Sequence, residues 1–123
     1  MHELSIASSL VEGILDFADQ KKVKRVLKVR LAIGDLTAVE HEQLRFCFAV
    51  ITKETVIEDA ELEIESVNPL VLCPNCSYRG IPKFWDDAQT HWAIPTLVCP
   101  ECGKSADAVQ GHECAIKSIK FAA

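Results

Sequence analysis

The sequence predicts an α+β protein carrying a small cysteine-rich module. Three observations lead there. Two stretches repeat apolar residues at helical spacing, and others alternate them at strand spacing. Between them the composition changes sharply near residue 70 and changes back near residue 108. Cys73, Cys76, Cys99 and Cys102 fall inside that stretch, with four of the five prolines and both tryptophans.

Residues 4–20 form the first helical pattern. Ala7, Leu10, Val11, Ile14, Leu15 and Ala18 make one apolar stripe. Lys21, Lys22, Lys24 and Arg25 follow, where cations complement the helix dipole. Leu27, Val29, Leu31 and Ile33 then alternate with Lys28, Arg30 and Ala32, which predicts a half-buried strand. Gly34-Asp35 ends it. Thr37 and Glu40 have capping-box spacing for a second helix. Its stripe is Leu44, Cys47, Phe48 and Ile51, so Cys47 is expected to be a buried thiol. Leu62 and Ile64 alternate with Glu61, Glu63 and Glu65, a strand with an acidic, solvated face. A last strand is expected over Ala115–Phe121, with a bulge or twist between Ile116 and Ile119.

Bulk properties narrow the classes. The chain has 123 residues, enough for one domain or a domain plus a module. No apolar run reaches the ~18–20 residues of a membrane span. Met1-His2-Glu3 lacks the basic start and apolar core of a signal peptide, so a cytoplasmic protein is expected. The formal charge of −5 argues against a phosphate-backbone binder. Six cysteines in a reducing compartment point to metal ligands or buried thiols.

Cys73-Pro-Asn-Cys76 and Cys99-Pro-Glu-Cys102 are two knuckles separated by 22 residues. A two-residue gap lets both thiolates of a knuckle face one ion. Two such pairs predict a tetrahedral four-sulfur site, the closed geometry of structural zinc. A module of about 35 residues cannot fold on its own core, and metal binding supplies the missing stability. Two other uses of this pattern stand beside that one. Cys99-Pro-Glu-Cys102-Gly103 resembles a rubredoxin knuckle, which would hold iron. A zinc-ribbon binding module for nucleic acid is the other. It would need a basic stripe, yet residues 73–107 offer Arg79, Lys83 and Lys104 against Asp86, Asp87, Glu101 and Asp107. No nucleophile–base pair is legible, so an enzyme is not expected.

The chain terminus offers a second metal site. The α-amine of Met1, the His2 backbone nitrogen and the His2 imidazole can converge on one ion, and the Glu3 backbone nitrogen can complete a square plane. Such nitrogen ligation suits Ni(II) or Cu(II).

Together these residues resemble one known family. Met1-His2-Glu3, Ile33-Gly34-Asp35-Leu36, Arg45-Phe46-Cys47-Phe48, the two Cys-Pro-x-Cys pairs, Gly111-x-Glu113 and Ile116-x-x-Ile119 occur in order along the whole chain. This is similar to the HypA/HybF family of hydrogenase-maturation nickel metallochaperones. The resemblance implies two helices on a three-stranded antiparallel sheet, with a zinc-ribbon-like four-cysteine domain inserted before the last strand. It implies a nickel-binding domain over 1–72 and 108–123 and a zinc domain over 73–107. Structural zinc would sit on Cys73, Cys76, Cys99 and Cys102. The nickel cargo would sit on Met1 and His2, with Glu3 adjacent. The family delivers nickel to the large subunit of [NiFe] hydrogenase with a HypB-type GTPase, and in some bacteria it also serves urease. No nucleic-acid or membrane partner is implied, and the chain is expected to be a monomer or weak homodimer. Two departures stand out. The stretch between knuckles is long, which predicts an extra element around Trp85–Ile94 and makes His91 a further candidate nickel ligand. Cys114 replaces a larger apolar residue, and its strand context predicts a buried thiol.

Overall fold

A computed structural model describes residues 2–87 and 92–123. Helix α1 spans His2–Lys21, beginning two residues before the expected start. Ala7, Leu10, Val11, Ile14 and Ala18 of the predicted stripe are buried. Lys22 ends the helix in the left-handed region (φ 54°), and the Val23 N–H donates to the Ala18 carbonyl at 2.9 Å. This is a Schellman-type stop, with lysine where glycine is usual.

Strand β1 runs over Arg25–Gly34. Val26, Val29, Leu31, Ala32 and Ile33 are buried, while Leu27 is exposed. Strict alternation therefore fails at both ends of the strand. A short 3-10 turn, Asp35–Thr37, follows and closes on Ala38 in the left-handed region (φ 58°). Helix α2 is His41–Ile51. Thr37 is thus not its cap. The left-handed residue at 38 breaks the helical path, and Glu40 caps α2 itself, its carboxylate accepting from Glu42 N and Gln43 N. Leu44, Cys47 and Phe48 of α2 are buried, as expected for that stripe, and α2 packs on α1.

Strands β2 (Glu61–Val67) and β8 (Cys114–Ala122) flank β1 in the order β2-β1-β8. The α+β class with two helices therefore holds. The sheet's strand directions refine the expected antiparallel arrangement. Lys28 meets Glu61 and Glu63, and Arg30 meets Glu63 and Glu65, so β1 and β2 advance in step. Lys24 N bonds Ala122 O and Gly34 N bonds Glu113 O, so β8 runs the other way. The sheet is mixed because α2 lies in the β1–β2 connection, and a crossover through a helix joins parallel strands.

A second sheet has the order β4-β3-β7, from Leu70–Leu72 (β3), Arg79–Gly80 (β4) and Asp107–Gln110 (β7). Strands β5 (Phe84–Asp87) and β6 (Trp92–Pro95) pair antiparallel as a hairpin, the extra element expected between the knuckles. The chain divides into two compact units. One comprises Met1–Ala32, Val39–Glu65 and Ala115–Ala123; the other comprises Ile33–Ala38 and Ser66–Cys114.

Within the second unit, two glycine motifs clasp each other. Gly34 N donates to Glu113 O at 2.7 Å, and Leu36 N donates to Gly111 O at 2.9 Å. Gly111 adopts φ 112°, and its own N–H is held by the Glu113 carboxylate at 2.7 Å. A Cβ on Gly34 would lie 1.9 Å from the Gly111 carbonyl oxygen. The backbones approach so closely that only glycine fits at 34.

Candidate metal centre

The two knuckles share one construction. In the first, Cys73 N donates to Tyr78 O at 2.8 Å and Ser77 N to Cys73 O at 2.9 Å. In the second, Cys99 N donates to Lys104 O at 2.8 Å and Gly103 N to Cys99 O at 2.9 Å. Each loop is flanked by a strand pair, Leu72 with Arg79 and Val98 with Ser105. Each needs a left-handed residue after its second cysteine: Ser77 at φ 66° and Gly103 at φ 75°. Glycine takes that conformation at little cost, whereas serine is strained there.

The loops bring all four predicted thiols together. Their sulfurs lie within 4.8 Å of one another. Cys73 and Cys102 are 3.5 Å apart, and Cys76 and Cys99 are 3.6 Å apart. Cys73 and Cys99 are buried against Val71 and Ala106, with Tyr78 packed alongside, while Cys76 faces solvent. Glu101 N points at the Cys99 sulfur at 3.4 Å.

Electrostatics show why such a cluster suits a cation. The backbone of Lys104 stabilises the Cys102 thiolate most; its sulfur and Asn75 contacts add to this against burial, and Cys102 is brought down to about 6. The Tyr78 backbone pulls Cys76 the same way. Burial and contacts with the other three sulfurs outweigh it, and Cys76 is pushed up to about 12. Four thiolates cannot share this space unless positive charge sits among them. Soft sulfur ligands in a compact, closed arrangement fit a soft or borderline divalent ion and leave no position for substrate.

At the other end of the chain, the Glu3 carboxylate accepts from Glu40 N at 3.1 Å. This contact ties the first turn of α1 to the start of α2. Met1 and His91 lie outside the described residues, as does the side chain of His2. Cys47 is buried, as its stripe requires. Cys114 is not buried: it is exposed at the first position of β8. Burial of part of its surface raises its thiol above the ordinary value.

The profile of a nickel-incorporation family, described as "Hydrogenase/urease nickel incorporation, metallochaperone, hypA", matches residues 1–121. The chain belongs to the HypA family. A hydrogenase maturation factor HypA from Methanopyrus kandleri is 38% identical over 98% of this chain and 93% of its own length. One from Methanococcus aeolicus is 39% identical over 90% of this chain and 88% of its own. The solution structure of the nickel metallochaperone HypA from Helicobacter pylori superposes with a TM-score of 0.68 at 25% identity, covering 100% of this chain and 99% of that one. Within this HypA chain, the glycine clasp, the knuckle partners Tyr78 and Lys104, and the Glu3–Glu40 contact were not derivable from spacing. The Ile33-Gly34-Asp35-Leu36 and Gly111-x-Glu113 motifs signalled the first of these without revealing that they meet.

Proposed function

We propose that this HypA chain carries Ni(II) at its N-terminal end and hands it to the large subunit of [NiFe] hydrogenase during maturation, in concert with a HypB-type GTPase. The observation that carries this reading is the pairing of a closed four-sulfur centre with a separate Met1-His2-Glu3 terminus, in a chain matched by the nickel-incorporation family from residue 1 to 121. Cys73, Cys76, Cys99 and Cys102 hold structural zinc, which organises residues 73–107 and does no chemistry. Met1, through its amine, and His2, through its backbone and ring nitrogens, bind nickel, with Glu3 adjacent and His91 a further ligand. The compact unit of Met1–Ala32, Val39–Glu65 and Ala115–Ala123, smaller than the expected 1–72 and 108–123, presents Met1, His2 and Glu3. Urease, the other nickel enzyme named in the family description, would be loaded by the same exchange.

Delivery is ligand exchange, not catalysis. Few ligands at a chain end can be replaced one by one, so nickel moves without a high barrier. The tie between Glu3 and Glu40 N supports this use, because it fixes the first turn of α1 next to the proposed ligands. Nickel ligands must be deprotonated, so affinity falls as pH drops through the histidine range near ~6.5.

Titration calorimetry with Ni(II) tests the assignment. His2→Ala, and separately an extension placed before Met1, abolish tight nickel binding while the zinc content stays at one per chain. Unchanged nickel affinity in both variants refutes the reading.

A further inference from the structure

We propose that the basic turn between α1 and β1 is a docking site for an acidic, extended segment of a partner protein, one that carries an apolar side chain among its carboxylates. Residues 20–25 hold four of the chain's 13 cations, Lys21, Lys22, Lys24 and Arg25, and none of its 18 carboxylates. All four are exposed. Among the described residues, no carboxylate comes within ion-pair distance of any of them. The next cations along the chain differ. Lys28 is held by Glu61 and Glu63, and Arg30 by Glu63 and Glu65.

The helix dipole accounts for only part of this cluster, because its pull on cations fades within the last turn. Lys21 closes α1, and Lys22 stops it in the left-handed region (φ 54°). Lys24 and Arg25 lie beyond that stop, at the entry to β1. Like charges packed this closely along the chain repel one another, and an incoming anion relieves the repulsion.

A hollow beside the cations completes the site. It measures about 340 Å³ and is lined by Leu15, Ala18, Asp19, Lys22, Val23 and Val56. Leu15, Ala18, Val23 and Val56 make it mainly apolar, while Lys22 belongs to both the hollow and the basic cluster. An apolar side chain of the partner fills the hollow. The carboxylates on either side of it, spaced along an extended backbone, meet the lysines and Arg25.

Donor type selects a carboxylate partner over a phosphate one. Phosphate sites favour helix N-termini with their free N–H groups, or arginine forks. Here the neighbouring helix end is a C-terminus, and lysines outnumber arginine. The net charge of −5 also repels a long polyanion, and a phosphate chain has nothing to place in an apolar hollow. The site contains none of the proposed metal ligands. It lies at the far end of the 20-residue α1 from His2, about 30 Å away along the helix. Loss of docking therefore leaves nickel and zinc binding unchanged, and the failure of one assignment is separable from the failure of the other.

Nuclear magnetic resonance of the zinc-loaded chain, titrated with a capped pentapeptide of leucine flanked by two glutamates on each side, tests the proposal. Amide shifts are expected at Lys21, Lys22, Lys24, Arg25 and Val56. Glycine in place of the leucine is expected to weaken binding at least about threefold, and lysines in place of the glutamates to abolish it. Raising sodium chloride from about 50 mM to about 300 mM is expected to weaken it about fivefold or more. Lys21→Glu with Lys24→Glu is expected to remove the shifts while circular dichroism, zinc content and nickel affinity stay the same. The milder pair Lys21→Gln with Lys24→Gln serves should the charge reversal misfold. Asp19→Asn removes a carboxylate from the hollow and is expected to tighten binding. No shift at these amides at millimolar peptide overturns the proposal. So does affinity indifferent to the leucine or to both lysine pairs. Tripolyphosphate or phosphatidylglycerol vesicles that perturb the same amides more strongly than the peptide overturn it too, and assign the turn to phosphate.

Discussion

Alanine at Gly34 and alanine at Gly13 are the same chemical change, with opposite expected effects. At Gly34 the backbone itself would tolerate alanine, since φ is −77° and ψ 144°. The obstacle is space. The new Cβ would sit 1.9 Å from Gly111 O and 2.1 Å from Gly111 C. Ordinary contact begins at 3.4 Å, so the two backbones must part by about 1.5 Å. That movement breaks two hydrogen bonds, Gly34 N to Glu113 O and Leu36 N to Gly111 O. Each is worth about 0.5–1.5 kcal/mol net, and more where a buried group is left unpaired. The expected loss is about 3–5 kcal/mol, a large part of a small domain's stability. Gly13 lies exposed inside α1 with nothing within 4 Å of its added Cβ. Alanine there removes glycine's entropic handicap and is expected to stabilise by about 0.5–1 kcal/mol. Urea unfolding of the zinc-loaded protein, followed by circular dichroism, measures both. A Gly34→Ala loss below about 1 kcal/mol would refute the claim that the Gly34–Gly111 approach is enforced. So would equal effects at the two glycines.

Removal of metal with a chelator is expected to unfold the four-cysteine unit, because among the described residues the apolar cluster around the sulfurs is small: Val71, Cys73, Cys99 and Ala106, two of them the cysteines themselves. Amide hydrogen exchange is expected to quicken over β3, β4 and β7 while α1 and α2 keep their far-ultraviolet signal; exchange that stays slow there after metal removal counts against the idea. Glu63 is held below the ordinary carboxylate range, chiefly by its hydrogen bond from Lys28. Its contribution is present above the ordinary value of 4.5 and is lost as pH falls through its lowered folded value, so Glu63→Gln should flatten the acid side of the stability profile, as thermal melts taken from acid to neutral pH will record. An aromatic disulfide reagent should label Cys114 in the metal-loaded protein and spare Cys47; labelling that survives in Cys114→Ser would contradict the exposure assigned to it.

Much of this protein can be read along the chain. Apolar periodicity located both helices and the three strands of the main sheet, because burial on one face imposes a repeat on the residues. Knuckle spacing located the four-cysteine cluster, because two thiols three positions apart come together in a tight turn. Where periodicity misled, a tertiary or backbone effect intervened. Ala38 in a left-handed conformation moved the cap from Thr37 to Glu40. Buried neighbours on both faces overrode alternation in β1, and Cys114, at the first position of β8, stands in solvent. Spacing also said nothing of the partners of Glu61, Glu63 and Glu65. Their mutual repulsion is relieved by Lys28, Arg30 and Lys117 on other strands.

The sequence by itself therefore determined what depends on local repeat and ligand chemistry: the α+β class, the two helical stripes and a cluster of four cysteines that could hold a metal ion. Only the tertiary structure decided what depends on residues far apart in the chain. It set the parallel pairing of β1 and β2 and closed Gly34 against Gly111. It also left Phe46 and Val50 facing outward on a helix whose other side is packed. The reason is physical: a repeat reports which face is buried, but only the fold reports what that face, and the one opposite, will meet.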